Sequence, residues 1–270
     1  MPYGLIAGNG RFPVLALEAA KRAGMDVVAI GIHEEASSEI EPLATRCHWI
    51  SLGALGTLID ICHKEGITQV MMCGQVKHAK IFSSIKPDWR LAKVLASLVG
   101  KNTDGLIGGV IKVLRDEGIE LVESTLLLKD LIAPEGVLTR RKPNDGEKRD
   151  IEYGRKIAAA LSGIDVGQSV AIAERACVAV EAMEGTDAML RRAATLVEGK
   201  PLTLVKGSRR RKHMLFDVPV IGPQTIDTMK ETGATALAVD AGRTLMIDKE
   251  DLIRKANEAG ITVVAIAVEE

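Results

Sequence analysis

The densest chemistry in this sequence lies in the stretch 180–187, where Glu181, Glu184 and Asp187 crowd around Gly185 as an apolar run gives way to a helical pattern. Carboxylates at a strand-to-helix turn can hold a hard cation, which takes oxygen ligands. They can equally serve the helix itself. Thr186 reads as an N-cap, and Asp187 falls in the first turn, where the macrodipole favours negative charge. Asp240, in Asp240-Ala241-Gly242, repeats the theme at another strand end, and Asp248 stands before the last helical pattern. Acids at several strand ends of one domain point to a site more strongly than any one of them does.

A second group is basic. Arg209, Arg210, Arg211, Lys212 and His213 run together shortly before Asp217. Guanidinium forks match phosphate oxygens and would neutralise a diphosphate; the other reading is a solvated loop. Asp217 sits between Phe216 and Val218-Pro219, an apolar context that restricts solvent around its carboxylate, or it is an ordinary turn aspartate. Gly8-Asn9-Gly10 follows an apolar run and opens a helix, where backbone N–H groups either cradle a phosphate or simply close a tight turn. The dinucleotide fingerprint wants a third glycine three residues on, and here that position is Pro13. Gly74-Gln75-Val76-Lys77-His78 also follows a strand, with Lys77 as a phosphate contact or a solvated lysine. No Ser/His/Asp order and no G-x-S-x-G elbow supports acyl transfer.

The elements that must position these residues alternate in type. Apolar strands at 3–7, 26–32, 47–52, 68–73 and 119–123 are separated by helical patterns at 12–23, 55–64, 89–98 and 106–117, which means βαβ units and a parallel sheet. A Pro/Gly-rich, basic stretch at 133–147 breaks the periodicity and reads as a linker. It divides the chain into an N-terminal Rossmann-like domain, 1–132, and a C-terminal α/β domain, 148–270. The second half restarts with a helix at 151–161, strands at 169–173, 176–182 and 202–206, and an extended piece at 219–222. Strands at 236–240, 244–247 and 261–267 follow, with helices at 186–196, 223–232 and 249–259.

Composition narrows the function classes. The 270 residues are 47% hydrophobic and 26% charged, an ordinary globular balance, and the net charge of -1 gives no pull toward nucleic acid. Aromatics are only 3%, so an aliphatic core must form, as suits buried parallel strands. No basic-then-apolar leader opens the chain and no apolar run reaches a bilayer's width, so a cytoplasmic protein is expected. Cys47, Cys62, Cys73 and Cys177 form no C-x-x-C pair. Adjacent Cys47-His48 and Cys62-His63 read as buried thiols beside histidines rather than zinc ligands.

The segments Glu181-Ala182-Met183-Glu184-Gly185-Thr186-Asp187, Phe216-Asp217-Val218-Pro219-Val220-Ile221-Gly222 and Val239-Asp240-Ala241-Gly242 resemble the LpxI family. These are UDP-2,3-diacylglucosamine pyrophosphatases of lipid A biosynthesis. The stretches 4–13 and 74–77 resemble it too, so the likeness covers both halves. It implies a two-domain α/β protein with substrate between the domains. It also implies Mg²⁺-dependent hydrolysis of the diphosphate, by water attack on the uridine-side phosphorus, to UMP and 2,3-diacylglucosamine 1-phosphate. The family's D-x-P aspartate lands on Asp217 as the catalytic or metal-linked acid. Together these readings nominate Asp217, Glu184 and Asp240 for the metal. For substrate they nominate Gly8, Asn9, Gly10, Gly74, Lys77, Thr186, Asp187, Lys206, Arg210 and Arg211. Transient inner-membrane contact and a homodimer stay open. So do two other functions, an NAD(P)-dependent oxidoreductase using Gly8 and Gly10, and a non-catalytic nucleotide-sugar or lipid-binding module.

Overall fold

The computed structural model describes residues 1–76, 86–97, 103–164, 166–208, 215 and 218–268, without the side chains of 103 and 104. These residues form two compact units, 1–129 with Leu215, and 130–208 with 218–268. Among the described residues no helix is long and apolar enough to cross a membrane.

The first unit is built on a five-stranded sheet of β1 (Tyr3–Ala7), β2 (Val27–Ile32), β3 (Arg46–Ile50), β4 (Gln69–Cys73) and β5 (Glu120–Leu121), in the order β3-β2-β1-β4-β5. Every pairing is parallel. β2 is buried at every position, as its unbroken apolar run requires of a strand covered on both faces. The helices are α1 (Phe12–Arg22), α2 (Leu55–Glu65), α3 (Trp89–Ser97) and α4 (Thr103–Asp116). Pro13 sits in the first turn of α1, where a missing N–H costs nothing. Gly66 closes α2 in the left-handed conformation, φ 69°. The core packs Val28, Ile30, Ile59, Val70 and Leu114 together, each side chain contributing roughly 1.5–3 kcal/mol by burial.

The second unit carries a six-stranded sheet in the order β6-β13-β11-β9-β7-β8. Its strands are β6 (Gly136–Val137), β7 (Ser169–Ala173), β8 (Ala176–Val180), β9 (Leu202–Lys206), β11 (Ala234–Asp240) and β13 (Thr262–Ile266). β9, β11 and β13 are parallel, whereas β7 runs antiparallel to both β8 and β9, so the sheet is mixed. β10 (Val220–Ile221) and β12 (Leu245–Met246) make a small parallel pair beside it. Helix α5 (Asp145–Gly163) covers one face, and Gly154 lets it lie close, since a Cβ there would meet Val205 Cγ2 at 2.7 Å. Helices α6 (Thr186–Ala194), α7 (Pro223–Glu231) and α8 (Lys249–Glu258) pack on the other face over a core of Leu190, Leu204, Met229, Leu237 and Leu252.

Residues 133–147, read from sequence as a linker, are built into this second unit. Val137 pairs with Val264 at the sheet edge, and Asn144 opens α5 with a capping box whose partner is Glu147. The helix therefore begins at Asp145 rather than 151. Its first turns are charged, so the apolar periodicity starts later than the helix does. The 3₁₀ segment Ser38–Leu43 also escapes the pattern, because Pro42 and a short span leave no period to read.

Candidate active site

The carboxyl edge of the second sheet gathers five of the nominated groups, Glu184, Thr186, Asp187, Lys206 and Asp240. β8 and β9 point the same way, so Glu181, just past β8, and Lys206, at the end of β9, reach one edge; Asp240 ends β11 there too. Ser169 opens the antiparallel β7 directly opposite Lys206. Open α/β sheets bind ligands at this edge.

Thr186 is the centre of the cluster. Its hydroxyl lies 2.9 Å from Glu181 Oε1, 3.1 Å from Ser169 Oγ and 3.2 Å from Lys206 Nζ. It is not the N-cap. Gly185 holds that position at φ 83°, a conformation open to glycine, and Thr186 is the first helical residue. Asp187, one residue on, has its carboxyl pushed up by burial. Arg191, Thr228 and Lys206 oppose that shift, while Glu181 adds to it. Glu181 is held close by its loop. A Cβ on Gly167 would collide with the Glu181 carbonyl, and Glu181 N donates to Ser169 O at 2.9 Å.

The two nominated metal ligands that are described both have protein partners. Glu184 pairs with Arg192 at 2.7 Å and accepts from Ala182 N at 3.0 Å, so Arg192 first, and backbone N–H groups after it, hold its carboxyl below the usual range. Asp240 Oδ2 accepts from Ser208 N at 2.6 Å and Ser208 Oγ at 2.8 Å. Among the described residues no group of three or more His, Cys, Asp or Glu side chains is placed to hold a metal ion. Asp217, Lys77, Arg210 and Arg211 lie outside the described residues. Leu215 is described, and it belongs with the first unit, packing on that unit's core and accepting from Ser124 Oγ at 2.7 Å.

In the first unit the nominated glycines meet at the point where strand order reverses, between β1 and β4. Gly8 N donates to Cys73 O at 2.8 Å, and Asn9 exchanges backbone bonds with Gln75 at 2.7 and 3.1 Å. Those two amides are therefore consumed by the protein, and a phosphate cradle would have to draw on other groups. Gly74, at φ 89°, is required by the close approach: a Cβ would lie 2.6 Å from Asn9 O. Gly10, exposed and at φ 96°, has open space where a Cβ would be.

Ser169, Ser208 and Thr228 belong to the neighbourhood without having been singled out from sequence. The first faces Lys206 through strand register, which only pairing reveals. Ser208 follows a strand end next to a basic run, a position that could have drawn notice.

A family model described as the LpxI N-terminal domain matches residues 2–131, and one described as the LpxI C-terminal domain matches 134–264. A protein of Caulobacter vibrioides named UDP-2,3-diacylglucosamine pyrophosphatase LpxI is 30% identical over 279 residues, covering 99% of this chain and 98% of that protein. Solved structures align only weakly. The biotin carboxylase subunit of pyruvate carboxylase is 15% identical over 73% of this chain and 42% of its own, with a TM-score of 0.27. A glycinamide-RNase-transformylase T from Mycobacterium tuberculosis is 10% identical over 67% and 44%, with a TM-score of 0.28. This chain thus spans less than half of either, and likenesses at that level bear on neither fold nor function.

Proposed function

The chain belongs to the LpxI family, and from that premise we propose that it hydrolyses the diphosphate of UDP-2,3-diacylglucosamine to UMP and 2,3-diacylglucosamine 1-phosphate in lipid A biosynthesis. The observation that carries this reading is the end-to-end match to a relative bearing that name, across both units. In the proposed reaction a water oxygen bonds to the uridine-side phosphorus. The bond from that phosphorus to the bridging oxygen breaks, and the bridging oxygen leaves with the sugar phosphate.

Such a displacement needs charge neutralised on the non-bridging oxygens and a positioned water. Lys206 supplies an ammonium fixed at a strand's carboxyl end, with Arg210 and Arg211 as the proposed further cations. Asp217 is the proposed acid that orients the attacking water. Mg²⁺ usually takes only one or two protein carboxylates and keeps waters and phosphate oxygens as its other ligands. At this edge the proposed protein carboxylate for such a lean site is Asp240. Asp240, anchored by Ser208 through one oxygen, and Asp217 are each proposed as a carboxylate for the ion, whereas Glu184 is committed to Arg192. When bound, the ion would offset charge on the diphosphate and on the leaving phosphate.

The test is turnover by purified protein in ¹⁸O-labelled water, with and without Mg²⁺. Label in UMP is expected; label in the sugar phosphate overturns the direction of attack, and absence of UMP overturns the reading. Asp217→Ala should abolish most UMP release at saturating Mg²⁺; near-normal release removes Asp217 from its role. The Gly8 and Asn9 amides are taken, and Pro13 replaces the fingerprint glycine, so no observation favours the oxidoreductase reading.

A further inference from the structure

The hydrogen-bonding capacity of the Thr186 hydroxyl can be counted. It has one proton and two acceptor sites. The Glu181 carboxylate only accepts and the Lys206 ammonium only donates. Thr186 must therefore donate to Glu181 Oε1 at 2.9 Å and accept from Lys206 Nζ at 3.2 Å, which leaves its last site for Ser169 Oγ at 3.1 Å. The hydroxyl is full. It has nothing left for a substrate, which changes Thr186 from a ligand into a junction.

What the junction fixes is Lys206, an ammonium on a flexible stem that carries three N–H groups and spends one on Thr186. The orientation of that junction depends on Glu181, the only partner in the cluster that must receive the proton. The Glu181 backbone packs closely on Gly167 and donates its own N–H to Ser169 O. Its second oxygen, Oε2, is buried with no hydrogen-bond partner. Buried polar oxygens are nearly always hydrogen-bonded, so an unpartnered carboxylate oxygen calls for a reason.

We infer that Glu181 is a positioning residue: through the Thr186 hydroxyl, which donates to Glu181 and accepts from Lys206, it holds the Lys206 ammonium at the carboxyl edge for the diphosphate of the substrate. The inference rests on the proposed hydrolase reading for its ligand, but its geometry can be tested without turnover.

The first arm is independent of activity. Reductive ¹³C-methylation of the lysines, with the Lys206 signal assigned from Lys206→Arg, is followed by NMR in the wild type and in Glu181→Ala, Thr186→Val and Thr186→Ser. The Lys206 signal should move in the first two variants and stay in the third. An unmoved signal in Glu181→Ala overturns the inference, whether or not the protein turns over.

The second arm is a double-mutant cycle on UDP-2,3-diacylglucosamine hydrolysis. Glu181→Ala and Thr186→Val should each raise KM about tenfold, the loss of one charge-assisted contact, with kcat changed less. In a Lys206→Met background neither should add a further effect, whereas a merely structural role would add in full. Full additivity overturns the inference. A wild type that releases no UMP overturns the hydrolase reading and leaves the NMR arm to decide Glu181.

Discussion

Glu147 offers the sharpest stability test, because it ties the former "linker" stretch to the second unit's sheet. Its Oε1 accepts from Arg141 Nη2 at 2.7 Å and Thr235 Oγ1 at 2.7 Å; its Oε2 accepts from Arg141 Nη1 at 3.0 Å and Asn144 N at 2.8 Å. Arg141 continues the network to Gly260 O and Thr235 O, both at 2.6 Å. Removing one partner of a buried pair costs about 3–5 kcal/mol. The Glu147 side chain is 7% exposed but that of Arg141 is 35%, so the stranded guanidinium would rehydrate in part. Loss of the capping box adds about 1 kcal/mol. The expected cost of Glu147→Ala is thus about 3 kcal/mol, and Glu147→Gln should fall between it and wild type.

Urea denaturation followed by circular dichroism measures that cost. Trp49 and Trp89, the only tryptophans, both lie in the first unit, so a shift seen by circular dichroism and absent from tryptophan fluorescence assigns the loss to the second. Acid gives an independent check. Burial alone would raise the Glu147 carboxyl, but donation from Arg141, Thr235 and the Asn144 N–H outweighs it and holds the group below its ordinary range. A depressed folded pKa contributes stability in full above the unfolded value of about 4.3, and loses it as pH falls through the lower folded value. The gap between wild type and Glu147→Gln should therefore shrink in that acid window. A Glu147→Ala variant within about 0.5 kcal/mol of wild type, the scatter of ordinary surface substitutions, would refute this account of residues 133–147.

Asp187 carries the opposite sign. Its folded pKa is raised chiefly by burial, so the stability of its protonated form is lost as pH rises through that value, and Asp187→Asn should raise the thermal midpoint at pH 7 but not at pH 3. An unchanged midpoint at pH 7 would mean that Asp187 is at ease in its site. Gly74→Ala should cost at least roughly 1–3 kcal/mol, since the new Cβ meets the Asn9 carbonyl at 2.6 Å in a left-handed backbone; Gly10→Ala, with open space, should cost less, and equal midpoints would contradict the packing. Gly167→Ala should shift the ¹³C-methyl signal of Lys206 by displacing Glu181, and an unmoved signal would separate that loop from the junction.

The strands and helices were legible because their causes are local. β7 and β9 fall where the apolar runs put them, at 169–173 and 202–206, and Gly66 and Gly185 mark turns that only glycine makes easily. The start of α5 was not legible, since its first turns are charged and its anchoring partners, Thr235 and Gly260, stand far along the chain. The mixed character of the second sheet was hidden for the same reason: strand direction depends on pairing, and apolar runs do not carry it.

Site residues present a different difficulty, which Thr186 and Asn9 expose together. Both are polar or flexible residues at a strand-to-helix turn, and residue type alone nominates both as ligand contacts. Yet the Thr186 hydroxyl is spent on Glu181, Ser169 and Lys206, and the Asn9 amide on Gln75. A buried polar group must be satisfied, and the protein itself supplies the nearest partners. Motifs at sheet edges therefore over-nominate: they name the groups that reach the edge, and internal hydrogen bonding decides which retain capacity for a ligand. By that measure Lys206, with three N–H groups and one committed to Thr186, retains more capacity for a ligand than the threonine that makes the motif recognisable.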